Sequence, residues 1–252
     1  MADHIFLGTA GWSVPRDVAD AFPAEGSGLE RYAARFNAVE INSTFYRSHR
    51  PQTFERWRAA TPGGFQFAVK VSRAITHEAR LIGCGPRLAQ FFDEIAPLAG
   101  KLGPILVQLP PSLAFDPGVA ADFLAELRRQ WGGPVALEPR HASWFGAQAA
   151  ALLAAHRIAQ VAADPARVAA AGVPGGDPSL AYWRLHGSPR MYYSPYGPTA
   201  LEALALAIAK AHARDAWCVF DNTASGAAAA NALTLAAKLS RPAKDRTGPD
   251  KG

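Results

Sequence analysis

The chain of 252 residues is 49% hydrophobic and 19% charged, which supplies a sizeable core and excludes an intrinsically disordered protein. Its two cysteines exclude a disulfide-stabilised scaffold, and no apolar run approaches the roughly 20 residues of a membrane-spanning helix. The formal net charge of +5 permits an anionic partner without requiring nucleic acid. The first residues lack the cationic segment of a secretory signal, so we expect a soluble cytoplasmic protein that does not bind membranes.

Short runs of β-type composition recur along the chain and alternate with segments of helical periodicity. The predicted strands are residues 5–12, 38–42, 65–71, 104–110, 135–139, 159–164, 181–187 and 217–222. Asp116 and Pro117 predict a capped helix start after the fourth strand, and Thr199 with Glu202 predicts a capping box after the seventh. The helical pattern after the sixth strand is short or missing, which predicts an irregular sixth unit.

Eight strand candidates alternating with helices predict an α/β protein, a (β/α)8 TIM barrel whose sixth unit lacks a full helix. A doubly wound open sheet is the alternative, but no G-x-G-x-x-G segment follows the first strand. We predict one domain over residues 1–240 and a disordered C-terminal tail over residues 241–252. The predicted strand-to-helix connections are the long ones, so a functional site is expected at the C-terminal face of the barrel.

Polar side chains gather at the predicted C-terminal ends of six strands, where a purely structural core would be apolar. They are Glu40, Asn42, Lys70, Gln108, Glu138, Arg140, Arg184, His186, Asp221 and Asn222. A buried lysine such as Lys70 is costly unless it pairs with a carboxylate or meets a ligand's negative charge. Glu138 and Arg184, taken singly, could belong to a structural layer of ion pairs. The clustering of all these residues favours a functional pocket.

Aromatic residues occupy the same predicted loops, among them Trp12, Tyr46, Tyr193 and Tyr196. The loop over residues 187–198 holds three tyrosines with turn prolines and Arg190. This composition is typical of a lid, or of a surface on which a sugar or a base stacks.

Several of these segments together resemble the bacterial and archaeal family known as domain of unknown function 72. The resemblance covers residues 5–239 and rests on the segments GTAGWS, VEINSTFYRSHRPQTFERW, FQFAVKVSRAITHEARL, LVQLPPSLAFD, LEPRHASW, YWRLHGS and FDNTASGAAAANA. It implies a TIM barrel and supplies no established reaction. The likeness to the endonuclease IV and xylose isomerase barrels is one of fold.

The preferred interpretation is an enzyme, of the hydrolase or isomerase class, that acts on a phosphorylated or carboxylated substrate by acid/base chemistry without a required cofactor. Its catalytic candidates are Glu138, His186, Lys70, Glu40 and Asp221. Its substrate-binding candidates are Arg184, Arg140, Asn42, Gln108, Asn222, Trp12, Tyr46, Tyr193 and Tyr196. Lys70, Arg140 and Arg184 would hold the anion in this interpretation, while Glu138 and His186 would exchange protons. A glycosidase would use Glu40 and Glu138 if their separation suits.

Two further interpretations remain open. In the first, the protein is a metal-dependent phosphodiester hydrolase or sugar isomerase. A divalent metal ion would then be bound by Glu40, Glu138, His186 and Asp221. In the second, the protein is a nucleic-acid-binding module without catalysis, whose arginines contact phosphate and whose tyrosines stack on bases.

Overall fold

The computed structural model describes residues 2–240, so the predicted tail over 241–252 lies outside the described residues. Ten strands alternate with seven α-helices within that range. The strands are β1 His4–Thr9, β2 Ala38–Ile41, β3 Gln66–Lys70, β4 Leu102–Gln108, β5 Val135–Glu138, β6 Ala159–Gln160, β7 Ala162–Asp164, β8 Gly175–Gly176, β9 Leu180–Leu185 and β10 Asp215–Phe220. The helices are α1 Gly28–Ala33, α2 Pro51–Ala59, α3 Gly85–Ile95, α4 Pro117–Gln130, α5 Ala147–Ala155, α6 Pro198–Ala209 and α7 Ala227–Leu239.

The parallel strands form a closed barrel, which confirms the predicted fold class. One series of parallel pairs runs from β2 through β3, β4 and β5 to β6, and a second runs from β7 through β9 and β10 to β1. β6 and β7 are the two halves of the predicted sixth strand, interrupted at Val161, and they join the two series. A bridge between Ala10 and Glu40 joins the end of β1 to β2 and closes the ring.

The closure between β1 and β2 depends on a glycine and a tyrosine. A Cβ atom at Gly8 would lie 2.0 Å from the Ala38 carbonyl oxygen, so only glycine lets the two backbones come this close. The buried hydroxyl of Tyr32 accepts the Thr9 N–H at 2.8 Å and donates to the Ala38 carbonyl at 3.0 Å. The tyrosine therefore replaces part of the missing backbone ladder between these strands.

The sixth unit is irregular, as predicted. A four-residue 3-10 turn, Ala169–Gly172, stands where the other units carry a helix, and β8 folds back antiparallel on β6. The predicted cap at Asp116 is present, since its carboxylate accepts the Val119 N–H. The capping box at Thr199 and Glu202 is wrong, because α6 starts at Pro198 after Gly197 and has no side-chain cap.

The interior of the barrel has an apolar layer directly below a polar one. The apolar layer contains Ala38, Ala68, Leu106, Ala136, Tyr182 and Val219, with the Trp217 ring stacked on that of Tyr182 at 6.0 Å. Side chains two residues apart in a strand point to the same side of the sheet. The residues that follow by two positions therefore also face the interior, and they are Glu40, Lys70, Gln108, Glu138, Arg184 and Asp221.

The outer faces of the strands pack against the helices in a second, larger apolar cluster, in which Leu88, Phe91 and Ile95 of α3 are typical members. No helix within residues 2–240 is both long enough and apolar enough to cross a membrane.

Candidate active site

The guanidinium group of Arg184 is fully buried at the centre of the polar layer. Its Nε and Nη2 atoms donate to the Glu40 carboxylate at 2.7–3.1 Å. Its Nη1 lies 3.1 Å from Glu138 Oε2, and its Nη2 lies 2.9 Å from Asp221 Oδ2. The hydroxyl of Tyr182 donates to the same Glu40 carboxylate at 3.0 Å. One arginine thus connects carboxylates that come from three different parts of the barrel.

His186 lies between two carboxylates and uses both ring nitrogens. Nε2 lies 2.9 Å from Glu138 Oε1, and Nδ1 lies 3.0 Å from Asp221 Oδ2. Two carboxylate acceptors require two N–H donors, which only the imidazolium form provides. Burial alone would lower the pKa of His186, but the charge of Glu138 and the hydrogen bonds reverse this effect and raise it. This geometry favours the imidazolium form of the side chain.

Glu138 is saturated with donors. Its carboxylate accepts from Gln108 Nε2 at 3.1 Å and from Arg140 Nη1 at 2.7 Å, in addition to Arg184 and His186. Burial would raise the pKa of Glu138, but the adjacent His186 and Arg184 hold it well below its usual range. This carboxylate stays ionised, and its four donors leave it poorly suited to accept a proton.

Asp221 is in a similar position. Burial would raise the pKa of its carboxyl group, and Arg184 and His186 lower it below its ordinary value. Glu40, Glu138 and Asp221 are thus the anionic half of one buried cluster whose cationic half is provided by arginines and His186.

Lys70 differs from the other charged groups of this layer. Its side chain is only 5% exposed, and Nζ lies 4.1 Å from the centre of the Phe45 ring. Within residues 2–240, no carboxylate oxygen lies within 4.0 Å of Nζ. Burial, with the nearby charge of Arg184, lowers the pKa of Lys70 to about 8. The amine is buried without an ion-pair partner.

The formal charges of the cluster show that Lys70 is in surplus. Three carboxylates contribute −3, and Arg184, Arg140 and the His186 imidazolium contribute +3. A protonated Lys70 makes the sum −3 + 4 = +1. The carboxylates are therefore already matched, and the ammonium must either lose its proton or meet an anion from outside.

Two asparagine carbonyls near the strand ends have no hydrogen-bond partner. Oδ1 of Asn42 and Oδ1 of Asn222 are both buried and unsatisfied. The pairing of Ile41 with Val69 places Asn42 at the level of Lys70 on the neighbouring strand. Such orphaned acceptors are rare and costly in folded proteins, and they mark positions where a ligand's donor can bind.

The predicted tyrosine loop, residues 187–198, is hydrogen-bonded to neighbouring segments and lies beside the charged cluster. Asn222 Nδ2 donates to the Ser194 carbonyl at 3.0 Å, and the Ala224 N–H donates to the Tyr192 carbonyl at 3.1 Å. The Tyr192 ring meets His186 edge-on with centroids 5.7 Å apart, and burial followed by Asp221 raises its pKa. Tyr192 is therefore the tyrosine of this loop that borders the charged cluster.

The four aromatic candidates have different positions. The Tyr196 hydroxyl donates to Asp164 Oδ1 and accepts the Gly187 N–H, both at 2.8 Å, so this residue supports the loop and has no free hydroxyl for a substrate. Tyr193 is exposed, with the Arg190 guanidinium 3.9 Å above its ring. Tyr46 is exposed, and Trp12 packs edge-on against Trp57.

The four candidate metal ligands come together as ion-pair partners and not as a metal site. Over the described range, no group of three or more His, Cys, Asp or Glu side chains is placed to hold a metal ion. The physical reason is that both nitrogens of His186 face carboxylates, while Glu40, Glu138 and Asp221 direct oxygens at Arg184. The arginine occupies the place that a cation would take.

Tyr182 and Phe45 belong to the site but were not among the sequence candidates. Tyr182 precedes Arg184 by two residues and shares its face of β9, which is a signal in the strand pattern. Phe45 lies in a 3-10 turn after β2, and its contact with Lys70 carries no sequence signal.

A closed parallel barrel with buried charged side chains at the C-terminal ends of its strands defines the class: a TIM-barrel protein with a polar C-terminal face. The chain belongs to the family described as protein of unknown function DUF72, whose model matches residues 6–251. The resemblance seen in the sequence is therefore confirmed.

Named relatives are matched over part of their length. The UPF0759 protein YecE of Escherichia coli (strain K12) is 36% identical over 106 residues, which are 42% of this chain and 38% of that protein. The UPF0759 protein YunF of Bacillus subtilis (strain 168) is 30% identical over 148 residues, 56% of this chain and 52% of that protein. The matched region spans less than two thirds of either relative.

Solved structures of DUF72 family proteins share the fold over nearly the whole chain. One from Enterococcus faecalis V583 has a TM-score of 0.80 at 23% identity and covers 94% of this chain and 96% of that one. One from Thermotoga maritima MSB8 has a TM-score of 0.78 at 25% identity, covering 94% and 100%. These likenesses agree with the barrel described above.

Proposed function

We propose that the protein is an enzyme that acts on a phosphorylated or carboxylated substrate at the C-terminal face of its barrel by acid/base chemistry. The observation that carries the proposal is Lys70, a buried cation with no carboxylate partner beside a cluster whose charges already balance. A buried unpaired charge is expensive, and a substrate anion would remove that cost. Active sites of TIM barrels lie on this face.

The geometry supports different roles for the candidate residues. Glu40, Glu138, Asp221 and His186 position Arg184 and Arg140, because their polar atoms are engaged within the cluster. The anion is met by Lys70, together with Arg140, whose Nη2 has no acceptor among residues 2–240 besides the Met191 sulfur, at 3.5 Å. A thioether is a weak acceptor, so this nitrogen can still bind a substrate oxygen.

Lys70 is also the group best suited to exchange a proton. Its pKa of about 8 lies close to neutral pH, where an acid/base group works most efficiently. The Glu138 carboxylate and the His186 ring are less suited to exchange a proton with a substrate. The carboxylate already accepts four hydrogen bonds, and both ring nitrogens of His186 are hydrogen-bonded to carboxylates. We therefore assign the proton-transfer role to Lys70, and a positioning role to Glu138 and His186.

Isothermal titration calorimetry with inorganic phosphate and citrate tests the proposal. We expect the wild-type protein to bind one of these anions and Lys70→Met to bind it at least about tenfold more weakly, equivalent to about 1.4 kcal/mol. Lys210→Met is the matched control, since Lys210 is exposed at the end of α6. Equal affinity in wild type and Lys70→Met, or absence of binding to wild type, would reject the anion site.

A further inference from the structure

We propose that Lys70 is a nucleophilic amine that forms a Schiff base with an aldehyde or ketone that also carries a carboxylate or a phosphate. This inference deepens the proposed function and rests on it, because it concerns the same site and the same anionic substrate.

The first argument is the contrast between Lys70 and the other lysines. Lys238 forms an ion pair with Glu202, and Lys101 donates to the carbonyls of Arg58 and Thr61. Such partners occupy the N–H donors of these two amines. Lys70 Nζ contacts the face of Phe45, and none of the ion pairs and hydrogen bonds within residues 2–240 involves it.

The second argument is that the surroundings favour the neutral amine. Burial and the Arg184 charge oppose protonation, while Glu40, Glu138 and Asp221 favour it less strongly. Two other titratable groups sense the Lys70 charge: it lowers the pKa of His77, after burial, and it helps Arg184 and His186 to lower the pKa of Asp221. A lysine that is desolvated beside another cationic group is the usual form of an activated amine nucleophile.

The reaction balances with solvent water as the proton carrier. The Lys70 ammonium gives one proton to water, and the neutral amine attacks the carbonyl carbon; one N–H proton moves to the carbonyl oxygen to form a carbinolamine. The C–O bond then breaks, the hydroxyl group takes up one proton from the solvent and leaves as water, and an iminium ion remains on Nζ. One positive charge is present before and after, so the buried cluster keeps its formal charge of +1, derived above as −3 + 4.

This retained charge defines the substrate class. The iminium is still a surplus cation, so the bound molecule is favoured when it brings a negative group of its own. Arg140 has a donor available for a carboxylate or phosphate oxygen, and the orphaned Oδ1 of Asn42 can accept a hydroxyl or an N–H. Oxo acids and sugar phosphates in the open carbonyl form combine these features.

Reductive trapping tests the inference. The protein is incubated with glyoxylate, or with dihydroxyacetone phosphate, in the presence of sodium cyanoborohydride, and the modified lysines are located by peptide mass spectrometry. We expect Lys70 to be alkylated at least about tenfold faster than Lys101, Lys210 and Lys238, because only its amine is activated. Acetone serves as the carbonyl probe without an anionic group and is expected to react more slowly at Lys70.

Arginine cannot form a Schiff base, so we expect the total trapping of Lys70→Arg to fall to the level of the remaining lysines. Anion binding by the wild-type protein, measured separately from trapping, distinguishes the two proposals. If wild type binds the anion but Lys70 is trapped no faster than exposed Lys210 with either probe, the Schiff base is rejected and the anion site stands. If the wild-type protein binds neither phosphate nor citrate, the proposed function fails.

Discussion

At the scale of single residues, the site separates groups that hold the structure from one group that does not. Glu138 and His186 satisfy each other and their neighbours, and such a cluster is costly to open. Lys70 lies in the same layer and gains no ion pair from it. A buried residue that destabilises the folded protein and makes no compensating contact is typical of a functional site, where activity is gained at the expense of stability.

The cost of Lys70 can be measured as a pH-dependent stability. Its pKa falls from an ordinary 10.5 to about 8 on folding, which corresponds to roughly 3 kcal/mol of destabilisation where both states are protonated. The unfolded chain binds more protons than the folded one between about pH 8 and 10.5, so this group makes stability rise with pH in that window. We expect Lys70→Met to be more stable than wild type by up to about 3 kcal/mol near pH 7.

Urea unfolding of both proteins across that pH range measures the difference directly. The gain in Lys70→Met should shrink as pH rises from about 8 towards 10.5, because the wild-type cost disappears there. Lys210→Met should differ little from wild type at every pH, since its amine is exposed. A Lys70→Met variant less stable than wild type near neutral pH would show that the lysine has a stabilising partner.

At the scale of secondary-structure elements, β1 and β2 are joined by little backbone pairing. Within residues 2–240 the two strands share one bridge, at Ala10 and Glu40, and they are also joined by the Tyr32 hydroxyl, by the Asn37 side chain and by the close approach at Gly8. This seam matters for the site, because β2 carries Glu40, the residue that binds Arg184 most closely.

Gly8→Ala tests the seam. The added Cβ would lie 2.0 Å from the Ala38 carbonyl oxygen, so the strands must separate, and we expect a loss of more than about 2 kcal/mol in the free energy of unfolding. Gly64→Ala is the control, since its Cβ would meet no atom within 4 Å, and it should change stability by less than about 0.5 kcal/mol. Similar urea midpoints for the two variants would contradict the close packing at Gly8.

The elements were largely predictable, while the contacts of their side chains were not. The eight strands follow from local composition, and the two-residue repeat places Glu40, Lys70 and Glu138 on one interior layer. Which groups pair is decided across the barrel, between Arg184 on β9 and carboxylates far away in sequence, and local patterns carry no such distances. The hydrogen bond of the Tyr196 hydroxyl to Asp164, in another unit, could not be predicted for the same reason.

Helix caps also show that local contacts can be predicted from the sequence while distant ones cannot. Asp116 was predictable because its partner Val119 is three residues away. The capping box at Thr199 and Glu202 does not form because the helix begins at Pro198, so that Gly197 stands at the cap position, and the Glu202 carboxylate instead pairs with Lys238 on α7.

At the scale of the whole molecule, Arg184 holds opposite sides of the barrel together. Its guanidinium reaches Glu40 on β2, Glu138 on β5 and Asp221 after β10, while its own backbone lies in β9. A single buried cation thus compensates three carboxylates on β2, on β5 and after β10, and these three strands are not neighbours of one another in the barrel. Its removal should therefore affect global stability more than any one of its ion pairs suggests.

We expect Arg184→Met to lower the free energy of unfolding by at least about 3–5 kcal/mol near neutral pH, because it leaves buried carboxylates without their main partner. In wild type, Glu138 and Asp221 have lowered pKa values, so their stabilisation is present above their unfolded pKa values and is lost as pH falls through the folded ones. Without Arg184, these carboxyl groups lose one of the charges that lower their pKa, so less of this stabilisation is present above the unfolded pKa values and less is lost in acid.

The difference in the free energy of unfolding between wild type and Arg184→Met should therefore narrow as pH falls below about 4.5, in urea unfolding followed by circular dichroism. Arg214→Met is the control, since that arginine pairs with Asp215 at the surface and should contribute less than about 1 kcal/mol. A difference that stays constant across this pH range would mean that Arg184 stabilises the barrel by packing alone. The carboxylates would then not be stabilised by the charge of Arg184, and the charge balance from which we derived a surplus at Lys70 would be wrong.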